Sequence, residues 1–143
     1  MIRAILRIFR DRSGAAIIEF GILAPAIVTL FLGVVQVGLW MQSYNALRSV
    51  AADTGRYVAV KYQKGQRLAN IDMASWAHTH AVDSYMFKSG LLTTDVTDAS
   101  AQQITGVTEK TLTLSYTFPS ILQVVGVDEI PVSFSRPIFV KSN

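Results

Sequence analysis

Residues 21 to 41, GILAPAIVTLFLGVVQVGLWM, hold no charged side chain. Those 21 residues, wound as a helix at about 1.5 Å per residue, would reach roughly 31 Å, close to the ~30 Å core of a bilayer. The apolar run extends back to Ala15 and is interrupted only by Glu19. Beyond Met41 the pattern becomes that of a one-sided helix. Tyr44, Leu47, Ala51, Thr54, Val58 and Tyr62 recur at steps of three and four, which puts them on a single stripe. Lys64-Gly65 supplies a stop signal. The spacing therefore predicts one long helix from about residue 15 to about 63, its outer half packed against other elements.

Leu68 to Lys88 carries a second helical pattern. Ile71, Ser75, His78, Val82, Tyr85 and Met86 fall on one side, and Ser89-Gly90 is the expected stop. From Leu91 the chain turns to Thr, Ser, Val and Asp. Thr111 to Phe118 alternates strictly, with Leu112, Leu114, Tyr116 and Phe118 inward and Thr or Ser outward, the mark of a half-buried strand ended by Pro119. Pro131 to Val140 reads as its partner, with Val132 and Phe134 on one face. Arg136-Pro137 predicts a bulge or an edge there. A weaker strand is expected within Thr94 to Thr105. The fold class is α+β: a long N-terminal transmembrane helix continuing into a small head of helices and a two- or three-stranded antiparallel sheet. The expected divisions are residues 1–14 as a basic leader, 15–41 as the span and 42–143 as the head.

Composition agrees with this division. Half of the 143 residues are hydrophobic and 16% are charged, too few charges for an ordinary soluble domain of that size. The formal charge of +3 is concentrated at the front, because residues 1–14 hold four arginines against Asp11 alone. Residues 42–143 balance nine basic against eight acidic side chains. A nucleic-acid partner would need a basic patch on the folded head, so none is expected. The arginine-rich flank predicts a cytoplasmic N-terminus and a head on the opposite side. A secretory signal peptide would have a shorter apolar core with its small-residue site after it. Here the small residues, Ser13-Gly14-Ala15-Ala16, come before it.

Candidate chemistry is sparse. There is no cysteine, which excludes disulfides and thiolate sites. His78 and His80 stand two apart and so point to different helix faces, a poor spacing for zinc. Asp95 and Asp98 read as turn acids rather than a calcium loop, and Asp53 with Arg56 as a local ion pair. No Ser/His/Asp motif, phosphate-cradling loop or metal spacing is legible, so neither an enzyme nor a cofactor is expected. Glu19 is the exception, because a carboxylate at the front of an apolar helix is costly and usually has work to do. Were the chain cut after Gly14, Glu19 would be the fifth residue of the product, in opening turns whose free N–H groups favour an anion. The new amine at Ala15 is too close on the same helix to be its ideal partner; the amine of a neighbouring copy fits better. Pro25 cannot donate to the carbonyl of Gly21, which predicts a bend or loosening of the span.

The stretch RDRSG followed by AAIIEFGILAPAIVTLFLG resembles a type IV prepilin. With AADTGRYVAV at residues 51 to 60, it is most similar to TadE-like minor pilins or pseudopilins of the tight-adherence (Tad, type IVc) system. Phe20 stands where the small major pilins of that system usually have Tyr. The resemblance implies prepilin-peptidase cleavage between Gly14 and Ala15, registry of subunits through Glu19 and Phe20, and a priming or tip role in pilus assembly. It implies a bacterial inner-membrane location with a periplasmic head, and passage into a pilus used for adhesion or secretion. The implied partners are the peptidase, other minor pilins, the major pilin, the platform protein and inner-membrane lipid. An uncleaved single-span accessory protein with a periplasmic binding head, or a type II secretion pseudopilin, would share the topology.

Overall fold

A computed structural model describes residues 13–100, 104, 106–123 and 126–141. The leader up to Arg12 lies outside the described residues. The first helix, α1, runs without interruption over Ser13–Gln63, within two residues of the expected limits. Its end is a Schellman turn: Gly65 takes φ of 74°, its N–H donates to the carbonyl of Tyr62, and Gln66 N–H reaches back to Lys61. A residue with a Cβ would be strained at that φ, which is why glycine follows the last turn.

Helix α2 spans Asn70–Tyr85, a turn shorter than expected. Asp72 accepts a hydrogen bond from the Ala69 N–H at 3.3 Å, satisfying one free donor at the helix start. The end comes before Ser89-Gly90. Met86 adopts a left-handed conformation, φ 58° and ψ 28°, and its N–H closes onto Ala81. The inward face also differs from the expected one. Met73, Ala74, Ala77 and Ala81 are buried, whereas Ile71 is 73% exposed and Met86 90%. Three alanines on one face let α2 approach its neighbours closely, and that gain outweighs the larger but misdirected Ile71.

A short 3-10 turn, Ser89–Leu91, leads into strands β1 (Leu92–Asp98), β2 (Val107–Phe118) and β3 (Ile130–Lys141). They form an antiparallel sheet in the order β1-β2-β3. Tyr116 lies opposite both Leu92 and Val132, and Leu112 opposite both Val96 and Arg136. Arg136-Pro137 falls on the edge strand in continuous register, so the edge reading holds and no bulge is needed. Both helices cover one face, α1 over β3 and β2 and α2 over β1. The other face carries Thr and Ser, with Thr113 and Ser135 hydroxyls 3.0 Å apart.

The core joins Leu47, Val50, Ala51 and Val58 of α1 to the inward residues of the sheet. Thr54 is fully buried in this stripe, and its hydroxyl donates to the Val50 carbonyl at 2.7 Å, which removes the cost of an unpaired polar group. Lys110 fastens the far end, reaching Asn70 at 2.6 Å and Asp98. The Lys110 ammonium holds the Asp98 carboxyl below the usual carboxylate range, with Asn70 assisting.

Candidate functional site

The long helix changes character along its length. From Gly14 to Gln42 no side chain is fully buried, and from Ser43 the inward stripe begins. The most apolar eighteen-residue window of α1 buries nothing within the chain. Water cannot be the intended surroundings of so much apolar surface; lipid or neighbouring helices must cover it. Among the described residues, α1 is the one helix long and apolar enough to cross a membrane, which suggests a membrane-anchored, single-pass protein.

Gly14, Ala15, Glu19 and Phe20 occupy the first turns of α1, all exposed, with Phe20 at 71%. Nothing lies within 4 Å of where a Cβ on Gly14 would stand, so its backbone is open to approach. Ala15 and Glu19 are four residues apart and share one helix face. The helix passes through Pro25 as a continuous element, and Pro25 is exposed. Its missing N–H leaves the Gly21 carbonyl without the usual helical donor. These five residues therefore lie along one uncovered segment, with no described side chain of the head upon them.

A second constellation sits where α1 meets α2, and the sequence reading missed it. Asp53 Oδ2 accepts from His80 Nε2 at 3.1 Å and from the Tyr85 hydroxyl at 2.9 Å. Its partners are therefore on the other helix, and the expected pairing with Arg56 is replaced by a weaker attraction through space. Hydrogen bonding from His80, then from Tyr85, holds the Asp53 carboxyl below its ordinary value. The same bond raises the Tyr85 hydroxyl above its own. Trp76 stacks on His80 with centroids 4.7 Å apart, and Tyr57 stacks on Trp76 at 4.2 Å.

Ser84 Oγ lies 3.2 Å from His80 Nδ1. The resulting Ser84–His80–Asp53 line has the order of a general-base relay, although no such motif was legible in the sequence. Ser84, however, sits in the last turn of a helix whose neighbouring N–H groups are used within the helix. They cannot serve as an oxyanion hole. The cluster is a clamp between helices. His78, by contrast, faces Ser89, with Nε2 3.3 Å from its carbonyl oxygen. Among the described residues no group of three His, Cys, Asp or Glu is placed to hold a metal.

A shallow hollow between α1 and β3 includes Asn45, Arg48, Ser49, Phe134 and Arg136 in its wall. Among the described residues, its wall holds the side chains of Arg48 and Arg136 and no carboxylate.

A family model described as TadE-like protein matches residues 14–56, the bare apolar part of α1 and the beginning of its head-packed part. No curated protein and no solved structure matches the chain.

Proposed function

We propose that this chain is a minor pilin or pseudopilin that helps to prime or tip a Tad-type filament, a reading supported by the match of residues 14–56 to the TadE-like family model. A prepilin peptidase cuts the precursor between Gly14 and Ala15 on the cytoplasmic side. The cut removes the arginine-rich leader, frees α1 from its cytoplasmic anchor and creates an amine at Ala15. Residues 15–41 hold the subunit in the inner membrane, and residues 42–143 form a periplasmic head. Other minor pilins, the major pilin and the platform protein are its partners.

The observation that supports this reading best is the uncovered first half of α1, with Glu19 on the same face as Ala15. A lone carboxylate at the front of the helix stays hydrated at small cost. Packed into a bundle of apolar helices, it loses that water and must be neutralised or matched to a cation. The Ala15 amine of an incoming subunit is the nearest such cation. A helix slipped by one turn, about 5.4 Å, would lose the contact, so the pair sets the axial offset. Phe20 packs beside it against the neighbour. The test is complementation of a strain lacking this gene. Glu19→Ala should be made, cut and inserted normally, yet fail to co-purify with partner pilins and fail to restore piliation, with Glu19→Asp intermediate. Full piliation by Glu19→Ala would refute the registry role.

A further inference from the structure

The hydrogen bond from the Ile121 N–H to Gln36 Oε1, 3.0 Å long, joins two segments expected to lie in different surroundings. Gln36 belongs to the apolar run and precedes Met41 by five positions, or about 7.5 Å of helix. Trp40 and Tyr44 mark the interfacial level by residue type. Ile121 belongs to the loop between β2 and β3. That loop therefore reaches the helix more than a turn inside the apolar run.

Further apolar side chains are exposed at that end of the head. Ile121, Val127 and Ile130 are exposed, and Met86 is 90% exposed. Val127 N–H folds back onto the Leu122 carbonyl at 3.2 Å. Ile130 pairs with Phe118 at the hairpin's end. Phe118 and Met86 line one small hollow with Leu39 and Gln42 of α1, so these side chains share the level at which the helix leaves its apolar run.

We propose that the described residues at the β2–β3 end of the head make a second membrane contact, with Ile121 and Ile130 seated in the interfacial layer of the outer leaflet and Met86 beside that layer. The membrane is the occupant because the patch is continuous with α1's lipid-facing surface. The Ile121 N–H also gives the Gln36 amide a partner near the end of the apolar run. Asp128 and Glu129 adjoin the patch and are exposed. Their carboxylates need water, so the loop lies at headgroup depth, and attraction to anionic lipid is not what holds it. The head is thus held at two points and cannot swing freely about the end of the span.

The chain has no cysteine, so Phe31→Cys, Thr97→Cys, Ile121→Cys and Ile130→Cys each give the full-length protein one site for an environment-sensitive fluorophore. The labelled proteins go into phosphatidylcholine vesicles carrying nitroxide lipids, with the spin label either shallow or deep. The label at 31 should be quenched by the deep nitroxide, and those at 121 and 130 by the shallow one with blue-shifted emission. The label at 97 is level with Thr111, seven strand residues or about 23 Å from the hairpin's end at Phe118, and should stay aqueous. If 121 and 130 behave like 97 while 31 is quenched, the loop contact is refuted. Shielding of 121 only after partner pilins are added also refutes it, and makes the patch a protein interface. Should 31 be aqueous too, the span falls and this proposal with it.

Discussion

Asp53 on α1 and His80 on α2 meet at 3.1 Å, Oδ2 to Nε2, and Tyr85 donates to the same oxygen. One carboxylate thereby fastens the helix that leaves the membrane to the helix that completes the head.

The clamp has a pH signature. The Asp53 carboxyl is held below its ordinary 3.8 in the folded chain. Its stabilisation is therefore present in full above that value and is lost as pH falls through the lower folded value, where the unfolded chain takes up the proton first. Asp53→Asn should lose about 1 kcal/mol near neutrality, a small amount because the side chain is about a third open to water. Its acid unfolding should be less steep below pH 4. Denaturant titrations of the detergent-solubilised protein across pH 2 to 7 would show this. Identical acid profiles for the two proteins would contradict it.

The packing makes a second contrast. Leu47 is fully buried, and Ile71 is largely exposed. Leu47→Ala should cost about 2–5 kcal/mol through lost burial and a cavity. Ile71→Ala should stay within about 0.5 kcal/mol of the parent. Equal losses at the two positions would mean that α2 presents the face its larger side chains suggest, against the face described above. Thermal unfolding measured by circular dichroism decides between them.

That contrast shows where the sequence was readable. Leu47, Ala51, Thr54 and Val58 keep one spacing over several turns, so α1 and its inward stripe could be read directly. The alternation of β2 from Leu112 to Phe118 did the same for the sheet. Helix α2 was misread because its buried face is mostly alanine; Ala74, Ala77 and Ala81 give little hydropathy contrast, while Ile71 and Met86 lie on open surface. Met86 also ends the helix in a left-handed turn that glycine would more ordinarily take, so no stop signal marked it. At the membrane end, Gly14, Glu19 and Pro25 stood out because each breaks a local pattern. The Asp53 clamp could not be found in that way. It depends on the register between two helices 27 residues apart in sequence at Asp53 and His80.

Pro25 should bend or loosen the span, since the Gly21 carbonyl lacks a donor and the ring crowds that turn. Pro25→Ala should restore the hydrogen bond and straighten the axis, leaving membrane insertion unchanged. Spin labels placed on either side of the site in lipid nanodiscs would report a longer distance in the variant. An unchanged distance would refute the bend.

The central claim is that this precursor is processed and assembled as a pilin. The most direct measurement is the intact mass and N-terminal sequence of the membrane-extracted protein from cells with an active prepilin peptidase. The mature chain should begin at Ala15, and Gly14→Leu, whose side chain would fill the space that glycine leaves at the scissile backbone, should retain its leader. A full-length N-terminus on the wild-type protein in those cells would contradict the account and leave a permanently anchored single-span protein.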